Sequence, residues 1–324
     1  MVSERSGPHD VGGDPAGPIA RAEHEPAHWE KEADAIRMLL ADGTRRFFTT
    51  DETRRVQEQL DAATYRTLPY YERWIHAFST LLFDKGVLTR AEVETEEARL
   101  RREGRHRLPT ETAAHDHDDD HDHAYQPDDD EGETELPPLR LRGLAVRERL
   151  IARGVLTRQE IRAEIERMDG RGEHLGARIV ARAWADPGFR DRLAADGNAA
   201  AAELGIAPAA TRLTALFNTD RLHNLVVCTL CSCYPRTVLG RPPAWYKSLA
   251  YRSRAVREPR AVLAEFGLTL PDGVEVRVHD STAENRYLVV PLRPAGTEGW
   301  SEERLAGLVS RDAMIGVAAA RWPV

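Results

Sequence analysis

Hydrophobic residues in the first hundred positions recur at the spacing of one helix face. This period predicts helices at residues 29–40 and 50–60, and a longer one at 65–83 whose aromatic side chains belong in a helix core. A glycine-rich arm at residues 9–19 precedes them and shows no such period. The first part of the chain is therefore predicted to be helical.

The pattern changes along the second part of the chain. Helical periodicity continues first, and alternation of apolar and polar residues follows, which indicates half-buried strands. Helices are predicted at residues 146–151, 157–168, 175–185, 189–204 and 301–308, and strands at 274–278, 287–290 and 315–320. Helices followed by strands indicate an α+β fold.

A short sequence occurs twice in the chain. Residues 85–93 are Lys-Gly-Val-Leu-Thr-Arg-Ala-Glu-Val, and residues 153–161 are Arg-Gly-Val-Leu-Thr-Arg-Gln-Glu-Ile. In each copy the glycine is typical of a helix C-terminus, and Thr-x-x-Glu is a capping box that starts the next helix. The repeated sequence predicts two similar helix-turn-helix corners.

Composition departs from that of a folded domain at residues 109–140. Histidines alternate there with aspartates and lead into a run of acids, which predicts a disordered, solvated tether. Histidine with carboxylate could also hold a divalent metal loosely. The formal charge is −8, but eleven acidic residues lie between Asp116 and Glu135, so the remainder carries about +3. This distribution predicts no nucleic-acid binding.

No apolar run approaches the length of a membrane span, so no membrane association is predicted. The first twenty residues lack the apolar segment of a secretory leader. Together with clustered free thiols, this predicts a reducing, cytoplasmic location.

All three cysteines of the 324 residues fall within six positions, 228–233, as Cys-Thr-Leu-Cys-Ser-Cys. Three thiolates at this spacing can reach one metal ion. Other interpretations stay open: buried inert thiols, a Cys228–Cys231 disulfide with one thiol left over, or a zinc site that recruits His223. An apolar run precedes the loop and several prolines follow it, which indicates a strand or helix end opening into a rigid loop.

Further motifs extend from the cysteine loop. Val-Leu-Gly-x-Pro-Pro-x-Trp-Tyr-Lys-Ser stands at 238–248, and Arg-Pro-Ala-Gly-Thr-Glu-Gly-Trp-Ser at 293–301. Together with the loop they resemble the α subunit of nitrile hydratases and of the related thiocyanate hydrolases. The resemblance covers roughly residues 141–324. It implies a helical arm followed by a layered αββα metal-binding domain.

The N-terminal part carries its own set of motifs. They are Asp-Val-Gly-Gly at 10–13, Asp-Glu-x-Arg at 51–54 and Pro-Tyr-Tyr-x-x-Trp-Ile at 69–75. They resemble the N-terminal half of the nitrile hydratase β subunit. Three segments are therefore predicted: a β-N-terminal-like helical domain, a disordered linker and an α-subunit-like catalytic domain, at 1–108, 109–140 and 141–324.

The resemblance implies a metal held by three sulfur atoms and two deprotonated backbone nitrogens, from Cys228, Cys231, Ser232 and Cys233. In the family the middle cysteine is oxidised to sulfinic acid and the last to sulfenic acid, and both states lie on the thiol oxidation ladder. Such donors suit a trivalent ion. Thr229, where iron-type members tend to carry serine, implies cobalt(III) in preference to iron(III).

The resemblance also assigns roles outside the loop. It implies that Arg54 hydrogen-bonds the oxidised cysteines, that Tyr70 reaches Ser232, and that Trp74 lines the substrate pocket. The implied catalytic residues are Cys233, Arg54, Tyr70 and Ser232. Arg236 stands near the pocket where nitrile hydratases commonly carry tryptophan, and it favours a polar or anionic substrate.

The implied reaction is hydration of a nitrile to an amide, with either metal-activated water or the Cys233 sulfenate as nucleophile. The chain lacks the C-terminal barrel of the β subunit. The resemblance therefore implies a hetero-oligomer in which a separate chain supplies that barrel, and it leaves room for an activator that delivers the metal. Two alternatives remain: a thiocyanate hydrolase subunit, which forms carbonyl sulfide and ammonia, and a non-catalytic cobalt carrier.

Overall fold

Helices and a few short strands make up the structure. The computed structural model describes residues 7–23, 25–41, 44–106, 135–207 and 211–322. Its contacts define two units. The helical unit is Ala27–Gln57 with Thr67–Arg162, and the metal-loop unit is Met1–Pro26, Glu58–Arg66 and Ala163–Val324. The structure confirms that the chain combines helices with strands, as predicted.

The helices of the described ranges, in chain order, are α1 (His28–Ala41), α2 (Thr50–Glu58), α3 (Ala62–Thr67), α4 (Tyr70–Asp84), α5 (Arg90–Arg102), α6 (Pro138–Ala152), α7 (Arg158–Asp169), α8 (Glu173–Ala185), α9 (Pro187–Ala195), α10 (Gly197–Glu203), α11 (Arg236–Leu239), α12 (Ala244–Lys247), α13 (Leu249–Arg257), α14 (Pro259–Glu265), α15 (Glu302–Ala306) and α16 (Arg311–Ile315). Within these ranges every helix is too short or too polar to cross a bilayer. The predicted linker lies largely in residues 107–134, outside the described ranges, and α6 begins at Pro138.

Two long predicted helices are each a pair of shorter ones. The helix predicted at 65–83 is divided into α3 and α4 because Pro69 disfavours helical geometry at the residue before it. The helix predicted at 189–204 is divided into α9 and α10 at Asp196. The carboxylate of Asp196 accepts from the N–H groups of Asn198 and Ala199 and so caps α10.

The repeated sequence forms two matching corners in the helical unit. Thr89 and Glu92 complete a capping box at α5, and Thr157 and Glu160 make the same reciprocal bonds at α7. The glycines before them, Gly86 and Gly154, have φ of 68° and 67°, so both predicted helix ends are confirmed.

An arginine contacts each of these corners in the same way. Arg153 donates to the carbonyl of Val87 and to Glu92. Arg45 donates to the carbonyl of Val155 and to Glu160. The pKa of Glu92 is lowered to about 2. The hydrogen bond from the Thr89 backbone N–H is the largest cause, and the hydrogen bond from Arg153 is the next largest. The two corners are therefore alike in their contacts as well as in sequence.

Among the described residues of the metal-loop unit, four strands pair in parallel. They are β1 (Arg212–Phe217), β2 (Leu222–Val227), β3 (Glu275–Asp280) and β4 (Asn285–Val290), and the pairs are β1 with β4 and β2 with β3. The predicted strands at 274–278 and 287–290 are confirmed. The one predicted at 315–320 is wrong, because α16 ends there and Gly316 turns the chain at φ 91°.

Parallel pairing positions the cysteine loop. The last residue of β2, Val227, is opposite the last residue of β3, Asp280. The N–H of Ser281 then donates to the carbonyl of Val227 at 2.7 Å. Both strands therefore end at the same edge, where the chain leaves β2 and enters the cysteine loop.

Buried aromatic side chains pack behind this edge. Trp245 lies edge-on to Tyr251 at 4.9 Å and to Phe266 at 4.8 Å between ring centroids. Tyr246 is fully buried beside them. Such pairs contribute about 0.5–1.5 kcal/mol each beyond the area they bury. These aromatic side chains therefore form part of the hydrophobic core of the metal-loop unit.

Candidate metal centre

The three cysteine sulfurs form one cluster at the end of β2. All lie within 4.8 Å of one another. The Sγ atoms of Cys228 and Cys231 are 3.3 Å apart, and those of Cys231 and Cys233 are 3.2 Å apart. Cys228 and Cys233 are buried and Cys231 is half-buried. The predicted convergence of three thiols is therefore present.

The sulfur spacing fits one class of metal geometry. A metal about 2.3 Å from each sulfur places them about 3.3 Å apart at an S–metal–S angle of about 90°, and about 3.8 Å apart at the tetrahedral angle. The separations of 3.2 and 3.3 Å match the first case. The cluster thus fits an ion with right-angled ligand positions better than tetrahedral zinc.

Hydrogen bonding between the sulfurs and burial keep the Cys228 and Cys233 thiols protonated when no cation is bound. Hydrogen bonding with the Cys231 sulfur is the largest cause that raises the pKa of Cys228, to about 12, and burial adds to it. The pKa of Cys233 is raised as well, first by Cys228 and then by Cys231 and burial. Because neighbouring thiolates repel one another, a metal cation bound between them would supply the counter-charge that allows them to ionise together.

Arg252 holds the backbone of the cysteine loop. Its side chain is 1% exposed. Nε donates to the carbonyl of Cys228 at 3.2 Å, and Nη2 donates to the carbonyls of Thr229 and His9 at 2.8 Å each. Nη1 donates to the hydroxyl of Tyr65 at 3.3 Å. The fixed fork of the guanidinium thereby sets the path of the loop between its first two cysteines.

Two buried tyrosines hold the two ends of the same segment. The hydroxyl of Tyr246 donates to the carbonyl of Cys233 at 2.7 Å, and that of Tyr251 donates to the carbonyl of Val226 at 2.6 Å. Burial raises the pKa of both tyrosines well above the ordinary range. Both hydroxyls therefore remain protonated and keep donating.

The glycine-rich arm packs against the loop. The N–H of Gly13 donates to the carbonyl of Ser253 at 2.9 Å. A Cβ added to Gly12 would lie 3.1 Å from the Thr229 methyl group, so a larger residue would crowd that contact. The predicted irregular terminus is thus an ordered part of the metal-loop unit.

His223 does not serve as a fourth ligand. Its Nε2 bonds to the carbonyl of Gly316 at 2.6 Å, and its Nδ1 lies 3.2 Å from the amide nitrogen of Asn218. Both ring nitrogens are therefore engaged away from the sulfurs. Among the described residues, the cluster with metal-ligand spacing contains the three cysteines and no histidine.

The other predicted loop residues lie beside the sulfurs in sequence and in the same unit. Ser232, between the last two cysteines, is 9% exposed, so its backbone nitrogen is in the buried part of the loop. Arg236 is the first residue of α11, three positions after Cys233, and is half-buried. The structure thus brings the sulfurs of Cys228, Cys231 and Cys233 together, with Ser232 between the last two. The roles named for Ser232 and Arg236 stay predictions.

Arg54, Tyr70 and Trp74 lie in the helical unit. Arg54, on α2, pairs with Asp51 at 3.2 Å. Tyr70 begins α4, and its ring lies edge-on to that of Trp74 at 6.0 Å. The guanidinium of Arg37 lies 4.6 Å from the centroid of Trp74, which is 7% exposed. The catalytic roles named for these three residues stay predictions.

Residues that organise the loop were not identified as site residues from the sequence. These are Arg252, Tyr246 and Asp280. A buried arginine is indistinguishable in sequence from a solvated one, and only the apolar Tyr251 and Ala255 on the same helix hinted that α13 faces the core. These three residues do lie inside the sequence motifs that follow the cysteine loop, and that position could have indicated a role near the loop.

Two family models match this chain. Residues 138–318 match the model described as nitrile hydratase, alpha chain. Residues 6–123 match the model described as nitrile hydratase beta subunit, N-terminal. The two matched segments together cover the cysteine loop and Arg54, Tyr70 and Trp74.

Curated relatives agree with both matches. The high-molecular weight cobalt-containing nitrile hydratase subunit alpha of Rhodococcus rhodochrous is 52% identical over 182 residues, 55% of this chain and 90% of that subunit. The thiocyanate hydrolase subunit gamma of Thiobacillus thioparus is 44% identical over 187 residues, 54% and 77% of the two chains. The nitrile hydratase subunit beta of Pseudomonas putida is 41% identical over 98 residues, 29% of this chain and 44% of that one.

A solved structure gives the same result for the fold. A double mutant of the Fe-type nitrile hydratase from Comamonas testosteroni aligns with a TM-score of 0.54 at 43% identity. The alignment covers 56% of this chain and 90% of that one. The likeness therefore extends over nearly the whole of the compared chain.

Proposed function

Because this chain belongs to the nitrile hydratase family, we propose that it hydrates a nitrile to the amide at a cobalt ion bound by Cys228, Cys231 and Cys233. The observation that carries the proposal is the convergence of three sulfur atoms within 4.8 Å. Their spacing suits an ion with right-angled ligand positions, as a trivalent, six-coordinate cobalt would be. The bound ion would supply Lewis acidity toward a nitrile or a water molecule.

Cobalt(III) is proposed in preference to iron(III). Thr229 within the loop and the similarity to cobalt-containing α subunits support cobalt. The Fe-type structural neighbour is the observation that favours iron. Backbone nitrogens of Ser232 and Cys233 are proposed to complete the protein's ligands.

The chain's own residues would keep the loop in one conformation during turnover. Arg252 and Tyr246 bind its carbonyls, so the sulfurs need no rearrangement when the metal enters. Oxidation of Cys231 to sulfinic acid and of Cys233 to sulfenic acid is part of the proposal. The oxygens so formed are acceptors for charged donors, the role proposed for Arg54.

The remaining residue roles are proposals of the same kind. Tyr70 and Ser232 are proposed as catalytic residues with Cys233. Trp74 and Arg236 are proposed to contact the substrate. Each role can be tested by substituting the named residue and comparing its activity with that of a control variant at an exposed residue on the same element.

A partner chain is also part of the proposal. The chain matches a β-subunit model that is specific to the N-terminal part, and it covers 44% of the β-subunit relative. We propose that a separate subunit supplies the C-terminal barrel of the β subunit in a hetero-oligomer, and that an activator can deliver the metal. Purification from native cells with bound partners intact is the form in which activity should be assayed.

The test joins metal analysis to product analysis. The complex is purified from cells grown with cobalt, and the mass of the peptide with Cys228–Cys233 is measured. Cobalt, three added oxygens on the peptide and amide formed from a nitrile would support the proposal. Zinc, unmodified thiols and no amide would overturn it.

Thiocyanate hydrolysis is the second candidate. The similarity to the thiocyanate hydrolase subunit gamma and the cation at Arg236 favour it. The same preparation is given thiocyanate, and carbonyl sulfide and ammonia are measured. Carbonyl sulfide release with no amide from any nitrile would favour this candidate over nitrile hydration.

A further inference from the structure

The glycine-rich arm is tied at regular intervals to one turn of α13. Every fourth residue of the arm bonds through a backbone group to the next residue along the helix. The pairs are His9 with Arg252 at 2.8 Å, Gly13 with Ser253 at 2.9 Å, and Gly17 with Arg254 at 3.0 Å. At the end of the arm, Ile19 is buried in the core of the metal-loop unit, and its N–H donates to Glu265 at 3.0 Å. The arm is therefore bound along its whole length.

The first of these ties is shared with the cysteine loop. The Nη2 atom of Arg252 carries two N–H groups and donates to the carbonyls of His9 in the arm and Thr229 in the loop. With the bonds to Cys228 and Tyr65, four of its five N–H donors are engaged. A guanidinium is one rigid plane, so its orientation has to satisfy the arm and the loop together.

The arm and the loop also approach each other directly. A Cβ built on Gly12 would lie 3.1 Å from the Thr229 methyl group, and Val11 beside it is buried. Thr229 stands between the first two cysteines. The arm therefore passes over the part of the loop whose carbonyls Arg252 binds.

Sharing one buried guanidinium links the two segments energetically. If the arm moved away, an N–H of Arg252 would lose the His9 carbonyl inside the protein, and an unpaired buried donor costs free energy. Rotation of the guanidinium toward a new acceptor would weaken its bonds to the loop. In the other direction, loop carbonyls that are held still by a bound metal give the arm a rigid surface, so docking loses less conformational entropy.

We propose that docking of the glycine-rich arm and metal binding at the cysteine loop are coupled through Arg252, so that each strengthens the other. Arg252 is a positioning residue here, because it acts through the loop backbone. The inference uses the metal site of the proposed function and does not depend on which reaction follows. Linkage requires that the metal strengthens docking by the same factor by which docking strengthens metal binding.

Limited proteolysis of the full chain measures docking. Arg21 is an exposed trypsin site two residues beyond the arm. Cleavage there requires the chain on both sides to leave the surface, so its rate follows the population of the undocked arm. Cobalt(II), added without oxygen so that the thiols stay reduced, should slow release of the peptide that ends at Arg21 by about tenfold.

A variant of the arm measures the reciprocal effect. Gly13→Pro removes the N–H that bonds to Ser253 and cannot adopt the φ of 80° found there, so it undocks the arm. It should weaken cobalt(II) binding, measured by competition with a chelator, by the same factor of about ten. Ala16→Ser, at an exposed position of the same arm, is the control and should bind cobalt(II) as the native chain does.

A double-mutant cycle tests the part played by Arg252. Adding Gly13→Pro to Arg252→Gln should cost little further affinity for cobalt(II), because the shared tie is already lost. In Arg252→Lys, which keeps the charge but not the planar fork, Gly13→Pro should have an intermediate effect. The native and Gly13→Pro chains decide the coupling even where Arg252→Gln does not fold.

Each outcome identifies the statement that fails. Equal cleavage with and without cobalt(II), and native affinity in Gly13→Pro, would overturn the coupling and leave the metal site intact. A full effect of Gly13→Pro in the Arg252→Gln chain would overturn the role of Arg252. No cobalt(II) binding by the native chain would overturn the metal site of the proposed function, and the coupling with it. Because amide formation is not the readout, failure of the proposed reaction is recognised separately.

Discussion

Asp280 accepts two hydrogen bonds from Thr229, one from the backbone N–H at 3.0 Å and one from the side-chain hydroxyl. The contact follows from the parallel pairing of β2 and β3, which ends both strands at one edge. Thr229 lies between the first two cysteines. The Asp280 carboxylate therefore holds the loop in place between Cys228 and Cys231.

Thr229→Val tests this anchor. Valine keeps the shape of threonine but removes the hydroxyl, so the carboxylate of Asp280, an exposed residue, loses one donor at a cost of about 0.5–1.5 kcal/mol. We expect lower cobalt occupancy, measured by elemental analysis, and a lower urea midpoint. Thr229→Ser keeps the hydroxyl and should retain most of the cobalt. Equal occupancy in the valine and serine variants would show that the hydroxyl is not needed.

Gly316→Ala should destabilise the metal-loop unit strongly. A Cβ at Gly316 would lie 2.0 Å from the carbonyl oxygen of Asn224 on β2, and φ is 91°. Gly267→Ala is the matched control, because φ is 85° but nothing lies within 4 Å. The control should lose about 1–2 kcal/mol from backbone strain alone.

Urea unfolding of both variants measures the difference. Gly316→Ala should lose clearly more than the control, by an amount typical of overpacking, about 1–3 kcal/mol further. If the two variants unfold alike, the chain around Gly316 can shift without penalty, and the close approach to β2 does not stabilise the unit.

His223 should make stability fall in mild acid. Its Nδ1 accepts from the Asn218 amide while its Nε2 donates to the Gly316 carbonyl, so the ring must be neutral. Burial lowers its pKa below the ordinary 6.5, although the Gly316 bond opposes this. Above pH 6.5 the imidazole of residue 223 is neutral in both the folded and the unfolded chain. As pH falls below it, the unfolded chain binds the proton first, and stability is lost until the folded pKa is passed.

The measurement is urea unfolding at several pH values between about 7 and 5. Each unit by which the pKa is lowered corresponds to about 1.4 kcal/mol. His223→Gln should lose this part of the pH dependence, whereas the exposed His174→Gln should keep it. A His223→Gln variant with the same pH dependence as the native chain would assign the effect to another group.

Features that depend on nearby residues could be predicted from the sequence. The capping boxes at Thr89 and Thr157 and the strands around Val276 and Leu288 involve residues within a few positions of one another. The thiol cluster belongs to the same class, since six residues contain all its sulfurs. Short spacing alone brings such groups together.

Features that depend on distant pairing could not be predicted. β1 pairs with β4 across more than sixty residues, and Arg-Leu-Thr-Ala-Leu-Phe shows no clean alternation. Arg252 contacts His9 across 243 positions, so nothing local marks it as buried. The supposed strand at 315–320 failed because its apolar residues fill the core around a helix end rather than pair with a strand.

Arg54→Gln should impair turnover far more than Arg55→Gln. Both arginines lie on α2, but Arg55 is exposed and Arg54 is largely shielded, with 13% of its side chain accessible. If Arg54 donates charged hydrogen bonds to oxidised cysteine oxygens, losing them should lower kcat by about 100-fold or more, as at other charge-stabilising sites. Amide formation by the purified complex measures this, with cobalt content and Cys oxidation followed on the same samples. Arg54→Lys keeps the charge but not the paired N–H geometry, so it should lie between the two. Full activity in Arg54→Gln with intact cobalt would remove this arginine from the catalytic residues and leave it as a partner of Asp51.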